Sequence, residues 1–321
     1  MAKTNKNGMP IPTYVRDKKK LAEYFAVAYK DMLDQLLLQL VFNPVQPKVI
    51  MEVQIMRQIS SRLNQLDFAI AAHIDKTIKK AFKEGQAYHL LSVNEAAAMD
   101  EALASITFNM IVDNKVEALV ADTYGDILLA TQNTEKAIKG VVRNTVQKVA
   151  QFNAIRNTNY TNQADQLKKE LSKKGLSEKI VNDGFVGIVD RMGRKWDLGT
   201  YSKMVMTTKV NQAFTEGIRY EATQTGLDLA VISSHGVSKD NPCSKWEGVV
   251  ISLNGKTEGF WTYEQARATN EIFHPNCEHG LHSIRSLEML PKEDVEKHKR
   301  KMKALGDVSK REYKRKKSKK K

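Results

Sequence analysis

Val49, Val53, Met56, Ile59, Leu63, Leu66, Ile70, Ile74, Ile78 and Phe82 recur at steps of three and four. That spacing keeps one apolar stripe along a single side of an α-helix and leaves polar residues on the other. It predicts an unbroken helix over residues 48–84, about nine turns at 3.6 residues per turn. A stripe of that length must be covered by partner helices of this chain or of another copy. Residues 17–42 read as an earlier helix, stopped by the segment Asn43-Pro44-Val45-Gln46-Pro47. Further helices are expected over 94–112, 114–131, 134–157 and 161–174, with a short one opened by Ser177. Thr134 followed by Glu135 supplies a start signal, a capping hydroxyl and then a carboxylate in the first turn.

The pattern changes near residue 184. Only four glycines lie between residues 16 and 175, whereas eleven lie between 184 and 280. Glycine marks turns and strand ends, so the second half is expected to mix strands and helices. Residues 185–189 read as a strand, Asp190 to Gly193 as a turn, and Arg194 to Trp196 as a returning strand. A helix over 200–225 should end at Gly226, a good residue for the position after a helix. Strands follow at 229–233 and 248–253, with Asn254-Gly255 as a tight turn. Residues 262–268 make one or two helical turns, and 281–286 a last strand. No internal repeat is present. The fold class expected is α+β: a long-helix N-terminal half, then a compact mixed α+β C-terminal domain and a basic disordered tail. The boundaries read as 1–16 for a flexible N-terminus, 17–182 for the helical domain, 183–290 for the α+β domain and 291–321 for the tail.

Charge sharpens this division. The net charge is +14, and residues 292–321 hold 15 Lys/Arg against 5 Asp/Glu. The body is near neutral and the end is a dense basic block. Lys310, Arg311, Lys314, Arg315, Lys316, Lys317, Lys319, Lys320 and Lys321 are the candidate contacts to a polyanion. A block that merely keeps the chain solvated is the plainer alternative. No run of 18 apolar residues occurs, so no membrane-spanning helix is expected. No apolar core follows the charged N-terminus, so no secretory signal is expected and the chain reads as cytoplasmic. Two cysteines are too few for a disulfide scaffold, and a reducing compartment disfavours a Cys243–Cys277 bridge.

Chemistry concentrates in residues 235–282, which hold four of seven His, both Cys and two of three Trp. The stretch HPNCEHGLH, residues 274–282, is its densest part. Zinc is one reading: Cys thiolate and His nitrogen suit Zn²⁺, and Cys243, His274, Cys277 and His279 could supply four ligands, with His235 or His282 as substitutes. A Cys nucleophile with a His base is another, although no Gly-rich oxyanion loop accompanies it. A His-Asn-His nuclease is a third, without a convincing following helix. The reading the residues favour is a packed turn that a metal could staple, with Trp246 and Trp261 filling the core beneath. Gly193 begins no phosphate loop, because no G-x4-G-K pattern follows a strand. His73 reads as an ordinary helix residue near the stripe, and His89 as a residue past the helix end, facing water.

Several motifs stand in order along the second half. Asp190, Gly193, Arg194 and Trp196 form a D-x-x-G-R-x-W core, and Tyr201 and Met204 a Y-x-x-M helix start. Cys243, Trp246 and Gly248 follow, and then His274, Pro275, Asn276, Cys277 and His279 as an H-P-N-C-x-H ending. Over roughly residues 180–290 the chain resembles the phage minor capsid protein 2 family, which is related to MuF-like head-morphogenesis proteins. The family commonly has an Arg-Thr pair where this chain has Met206-Thr207-Thr208. That departure weakens an anion-binding or ADP-ribosyl-transfer reading of the segment. Residues 291–321 are too few for the toxin domains that some relatives carry.

The resemblance implies a non-enzymatic structural protein of the virion, in few copies near the portal vertex. It is made in the host cytoplasm during assembly. It implies the portal protein and other head proteins as partners, and packaged double-stranded DNA as the polyanion. The alternative is an enzyme acting on nucleic acid or a host protein through the His/Cys cluster.

Overall fold

The computed structural model describes residues 12–14, 16, 23, 48–156, 188–189, 195–196, 198–238 and 240–306. The helices expected over 17–42 and 161–174, the one opened by Ser177, the Asp190–Gly193 turn and the basic residues 310–321 lie outside these. The elements run α1 (Lys48–Ser92), α2 (Met99–Ser105), α3 (Met110–Arg156), β1 (Ile188–Val189), β2 (Lys195–Trp196), α4 (Leu198–Gln224), β3 (Leu229–Ile232), β4 (Val250–Ser252), α5 (Tyr263–Ala268), β5 (Leu281–Ile284) and α6 (Lys292–Leu305). The architecture is α+β, with no described helix long and apolar enough to cross a membrane. The chain gathers into two compact units that interleave along the sequence. One comprises residues 1–14, 78–116 and 210–321; the other comprises 15–77 and 117–209.

In the second of these units the stripe on α1 is the organising feature. Ile59, Leu63, Leu66, Ile70 and Ile74 are buried, while Val53, nearer the start of the stripe, is 43% exposed. On α3, Thr123, Ile127, Ala130, Thr131 and Thr134 are the buried positions, again one face of a helix. Ser60 donates to Glu135 (2.6 Å), and Lys139 donates to Ser60 (2.6 Å). Burial pushes the Asp67 carboxyl up to about 6, against a hydrogen bond with Thr131. Residue numbers rise on α1 as they fall on α3, so the two run antiparallel here. α3 does not break near 131–134 as the sequence suggested. The Thr131 and Thr134 hydroxyls donate to the carbonyls one turn back, at 3.1 and 2.8 Å, and so act inside the helix and not as caps. β1 and β2 pair antiparallel, with Ile188 opposite Trp196.

The other unit is built where α1 meets α4. Sequence placed the end of α1 at residue 84, before Gly85, yet the helix continues to Ser92. Gly85 is there for proximity. A methyl group on it would stand 2.0 Å from the Phe214 carbonyl oxygen of α4, and one on Gly217 would stand 2.1 Å from the Phe82 carbonyl oxygen of α1. The two backbones therefore touch at a pair of glycines. Around the crossing, α1 is buried on every side from Glu84 to His89, with Phe82 and Phe214 flanking it. Tyr14, expected in a flexible N-terminus, is packed here. Tyr14 lies 5.0 Å from the Phe214 ring, and its amide donates to the buried Glu84 carboxylate at 3.0 Å. α1 stops where Asn94 takes φ +59°, a left-handed conformation that asparagine tolerates. α2 is much shorter than the helix expected over 94–112. Asn109 then caps α3 by accepting from the Val112 amide at 3.0 Å.

The end of α1 carries the three-stranded antiparallel sheet, in the order β4-β3-β5. Tyr88 Oη and His282 Nδ1 lie 2.9 Å apart, and His89 Nδ1 lies 2.8 Å from Ser283 Oγ. His89 was expected to face water; it is fully buried, with its second nitrogen 2.8 Å from Thr225 Oγ1. Burial, reinforced by Arg285 and opposed by Glu95, pushes its pKa down to about 4. Residues 292–305, placed in a disordered tail by composition, form α6 and dock on the sheet. The His298 ring stacks on Phe260 and its Nδ1 accepts from the Val250 amide of β4 at 3.1 Å.

Two expected outcomes follow from the crossing and from His89. Gly85→Ala and Gly217→Ala should each lower stability by roughly 3 kcal/mol, the upper part of the overpacking range, in chemical denaturation. Gly125→Ala, in open space on α3, should raise it by about 0.5–1 kcal/mol. For His89 the folded state holds fewer protons than the unfolded state between about pH 6.5 and about pH 4. Acid therefore favours unfolding across that window, and stability is fully present above it. The advantage of wild type over His89→Gln at neutral pH should shrink by on the order of 3 kcal/mol as pH falls through the window. A constant difference between the two melting curves would refute the assignment.

Candidate functional site

Two loops of the sheet bring the Cys/His cluster together. After β3 the chain enters a short 3-10 turn, Pro242–Lys245, with Pro242 at its first position. Asn241 caps it by accepting from the Cys243 amide at 3.1 Å. After α5, whose start is fixed by the reciprocal Thr262–Gln265 capping box, the chain reaches residues 274–280. There the Cys277 amide donates to the His274 carbonyl at 2.9 Å across Pro275 and Asn276. Asn276 takes φ +64° at the bend. Asn211 of α4 donates to the Cys277 carbonyl at 2.9 Å. Ser233, just past β3, donates its amide to the Gly280 carbonyl (2.9 Å) and accepts the Gly280 amide on its hydroxyl (2.8 Å). β3 and β5 are thus held together up to the cluster, which fixes the two loops side by side.

The geometry brings Cys243, His274 and Cys277 together, with one candidate ligand atom from each, all within 4.8 Å of one another. Cys243 Sγ and His274 Nε2 are 2.9 Å apart. His274 Nδ1 lies 2.8 Å from the Pro275 carbonyl oxygen. His279, the fourth residue of the sequence reading, is not in that trio but stands next to it. Its Nδ1 is 3.4 Å from Cys277 Sγ and its Nε2 is 3.2 Å from Glu247 Oε1. The proposed substitutes are engaged elsewhere: His235 Nε2 faces Ser233 Oγ at 3.0 Å, and His282 meets Tyr88. Both cysteines are free thiols, and both are buried.

Electrostatics divide the cluster. Burial alone would raise the Glu247 carboxyl, but hydrogen bonds from the His235 amide, His279 and Ser234 outweigh it and hold the group at about 2. Glu247 is therefore an anion at the back of the site. Burial pushes the Cys243 thiol up to about 11, and the neighbouring Cys277 and Glu247 act in the same direction. Burial also lowers His279, against the opposing pull of Glu247. A cysteine nucleophile needs its thiolate stabilised, and the surroundings of Cys243 do the reverse.

The cluster rests on a firm floor. Trp246 is fully buried and meets Trp261 edge to face at 5.4 Å, as the packed-turn reading expected. Its indole N–H donates to Glu271 at 3.2 Å. α6 holds the first loop from behind: Lys301 Nζ donates to the Ser244 carbonyl at 2.6 Å and to the Glu247 carbonyl at 2.8 Å. The Asn254-Gly255 turn is held by Asp228, whose carboxylate accepts from the Asn254, Lys256 and Thr257 amides and from Ser252 Oγ. Sequence reasoning missed Glu247, Lys301 and Asn211. Glu247 alone left a trace, as a carboxylate inside the Cys/His-rich segment.

A family model described as phage minor capsid protein 2 matches residues 50–321. The match reaches beyond the resemblance read over 180–290, into the long helices on one side and the basic segment on the other. No curated protein and no solved structure gives a match.

Proposed function

The chain belongs to the phage minor capsid protein 2 family, and from that premise we propose that it is a structural part of the phage head, placed in few copies near the portal vertex and touching packaged DNA through its basic C-terminal segment. The observation that carries this reading is the extent of the family match, which takes in the helices, the Cys/His site and the basic block together. The portal protein and other head proteins are the proposed protein partners. Phe68, at 83% exposed, and the exposed Met110, Ile111 and Leu129 are apolar side chains available to such contacts. Lys310, Arg311, Lys314, Arg315, Lys316, Lys317, Lys319, Lys320 and Lys321 are the proposed phosphate contacts. Dense phosphate with condensed counterions is the polyanion for which such a block gains most, because binding releases those counterions.

The enzymatic alternative has one feature in its favour: Cys277, His279 and Glu247 stand in a thiol–imidazole–carboxylate line. All three are buried, which restricts the approach of a substrate. The structural reading is the stronger.

Phosphate contacts position a protein without reading sequence, so duplexes of different sequence should bind alike. If about seven phosphates are met, log K should fall against log salt with a slope of about −6. A chain ending at Ser309 should lose most of that affinity in fluorescence anisotropy. Equal, salt-insensitive binding by the shortened chain would reject the tail as the DNA contact.

A further inference from the structure

We propose that Cys243, His274, Cys277 and His279 bind one zinc ion, which ties the loop after β3 to the loop before β5. The proposal goes beyond the role in the head and does not depend on it.

The first argument is the pairing of donors with their outer partners. A carbonyl oxygen can only accept, so the contact of His274 Nδ1 with the Pro275 carbonyl places the ring proton on Nδ1. The bare nitrogen is then Nε2, the atom that faces Cys243 Sγ. His279 is arranged in the opposite sense. Its Nε2 faces the anionic Glu247 and carries the proton, so the bare nitrogen is Nδ1, beside Cys277 Sγ. Each imidazole thus has its other nitrogen held by an oxygen acceptor and turns a lone pair toward a thiol. Metal-bound histidines are oriented in this way, by a carbonyl for one ring and a carboxylate for the other. Two histidines with oppositely assigned tautomers, each with its bare nitrogen beside a thiol, are not needed for a packed turn.

The second argument is size and charge. Ligand atoms around one tetrahedral zinc stand about 3.3–3.8 Å apart, given Zn–S near 2.3 Å and Zn–N near 2.0–2.1 Å. The trio already lies within 4.8 Å, and the His279–Cys277 contact of 3.4 Å falls in the tetrahedral range. The 2.9 Å Cys243–His274 contact must open slightly to admit the ion. His279 must turn inward to close the fourth position. Two sulfurs and two imidazoles select zinc over magnesium or calcium, which take oxygen ligands. On binding, both thiols give their protons to solvent and the two thiolates take the ion. Two thiolates neutralise Zn²⁺, so the buried assembly carries no net charge beyond that of Glu247.

The test uses the full chain, purified without chelator and without a histidine tag. Elemental analysis should find one zinc per chain, retained through gel filtration. Protein stripped with EDTA should melt at lower temperature and recover on adding Zn²⁺ but not Mg²⁺. Cobalt(II) should give a thiolate charge-transfer band and the strong visible bands of tetrahedral coordination. Cys277→Ser should lose the equivalent of zinc. Should that variant fail to fold, Glu247→Gln keeps every ligand and should bind zinc about 10- to 100-fold more weakly. Wild type that takes up no zinc, an octahedral cobalt spectrum, or a Cys243–Cys277 disulfide in freshly purified protein would each overturn the proposal.

Discussion

Backbone touches backbone where α1 crosses α4, and the unit around the Cys/His site depends on that contact. Gly85 and Gly217 lie against Phe214 and Phe82, and neither position has space for a methyl group. Because the helices approach so closely, the last turns of α1 are buried on every side. Tyr88 and His89 then meet β5 directly, at His282 and Ser283. β5 follows the loop that carries Cys277 and His279, and α4 reaches the same loop through Asn211. The position of the cluster is thus inherited, step by step, from a pair of glycines, one taken from the sequence as a helix end and the other lying unremarked inside an expected helix.

What was legible in the sequence is what periodicity encodes. The stripe from Ile59 to Phe82 needs no tertiary information, and it lies buried on α1 as the pattern requires. Strands at 229–232 and 281–284 stand close to their expected places, because runs bounded by turn residues announce themselves. Gly226, expected just after a helix, takes φ +74°. The failures have a common cause. Gly85, Thr134 and His89 carry local preferences for ending a helix, starting one and facing water respectively, and in each case packing reversed them. α6 was hidden for the same reason: thirty residues, half of them basic, gave no sign that His298 and Lys301 would bond to the sheet and to the site loop.

The site was half legible. Three of the four ligands proposed from the HPNCEHGLH stretch and from Cys243 come together, although 31 residues separate Cys243 from His274. The fourth, His279, stands beside them. Outer partners decide how such a cluster behaves, and they were invisible because no spacing rule links Glu247 to His279 or Asn211 to Cys277. Glu247 serves twice: its side chain orients His279, and its carbonyl accepts from Lys301 of α6. The first basic residues after the sheet therefore brace the site, while the block from Lys310 onward is proposed to serve DNA.

That the protein belongs in the phage head is the claim on which its proposed partners rest. Quantitative mass spectrometry of purified, nuclease-treated particles tests it most directly. The protein should be present in every preparation, at a small fraction of the major capsid subunit, and should stay with heads separated from tails. Absence from particles, together with abundance in infected cells, would contradict a structural place in the head and would return attention to Cys277, His279 and Glu247 as chemistry.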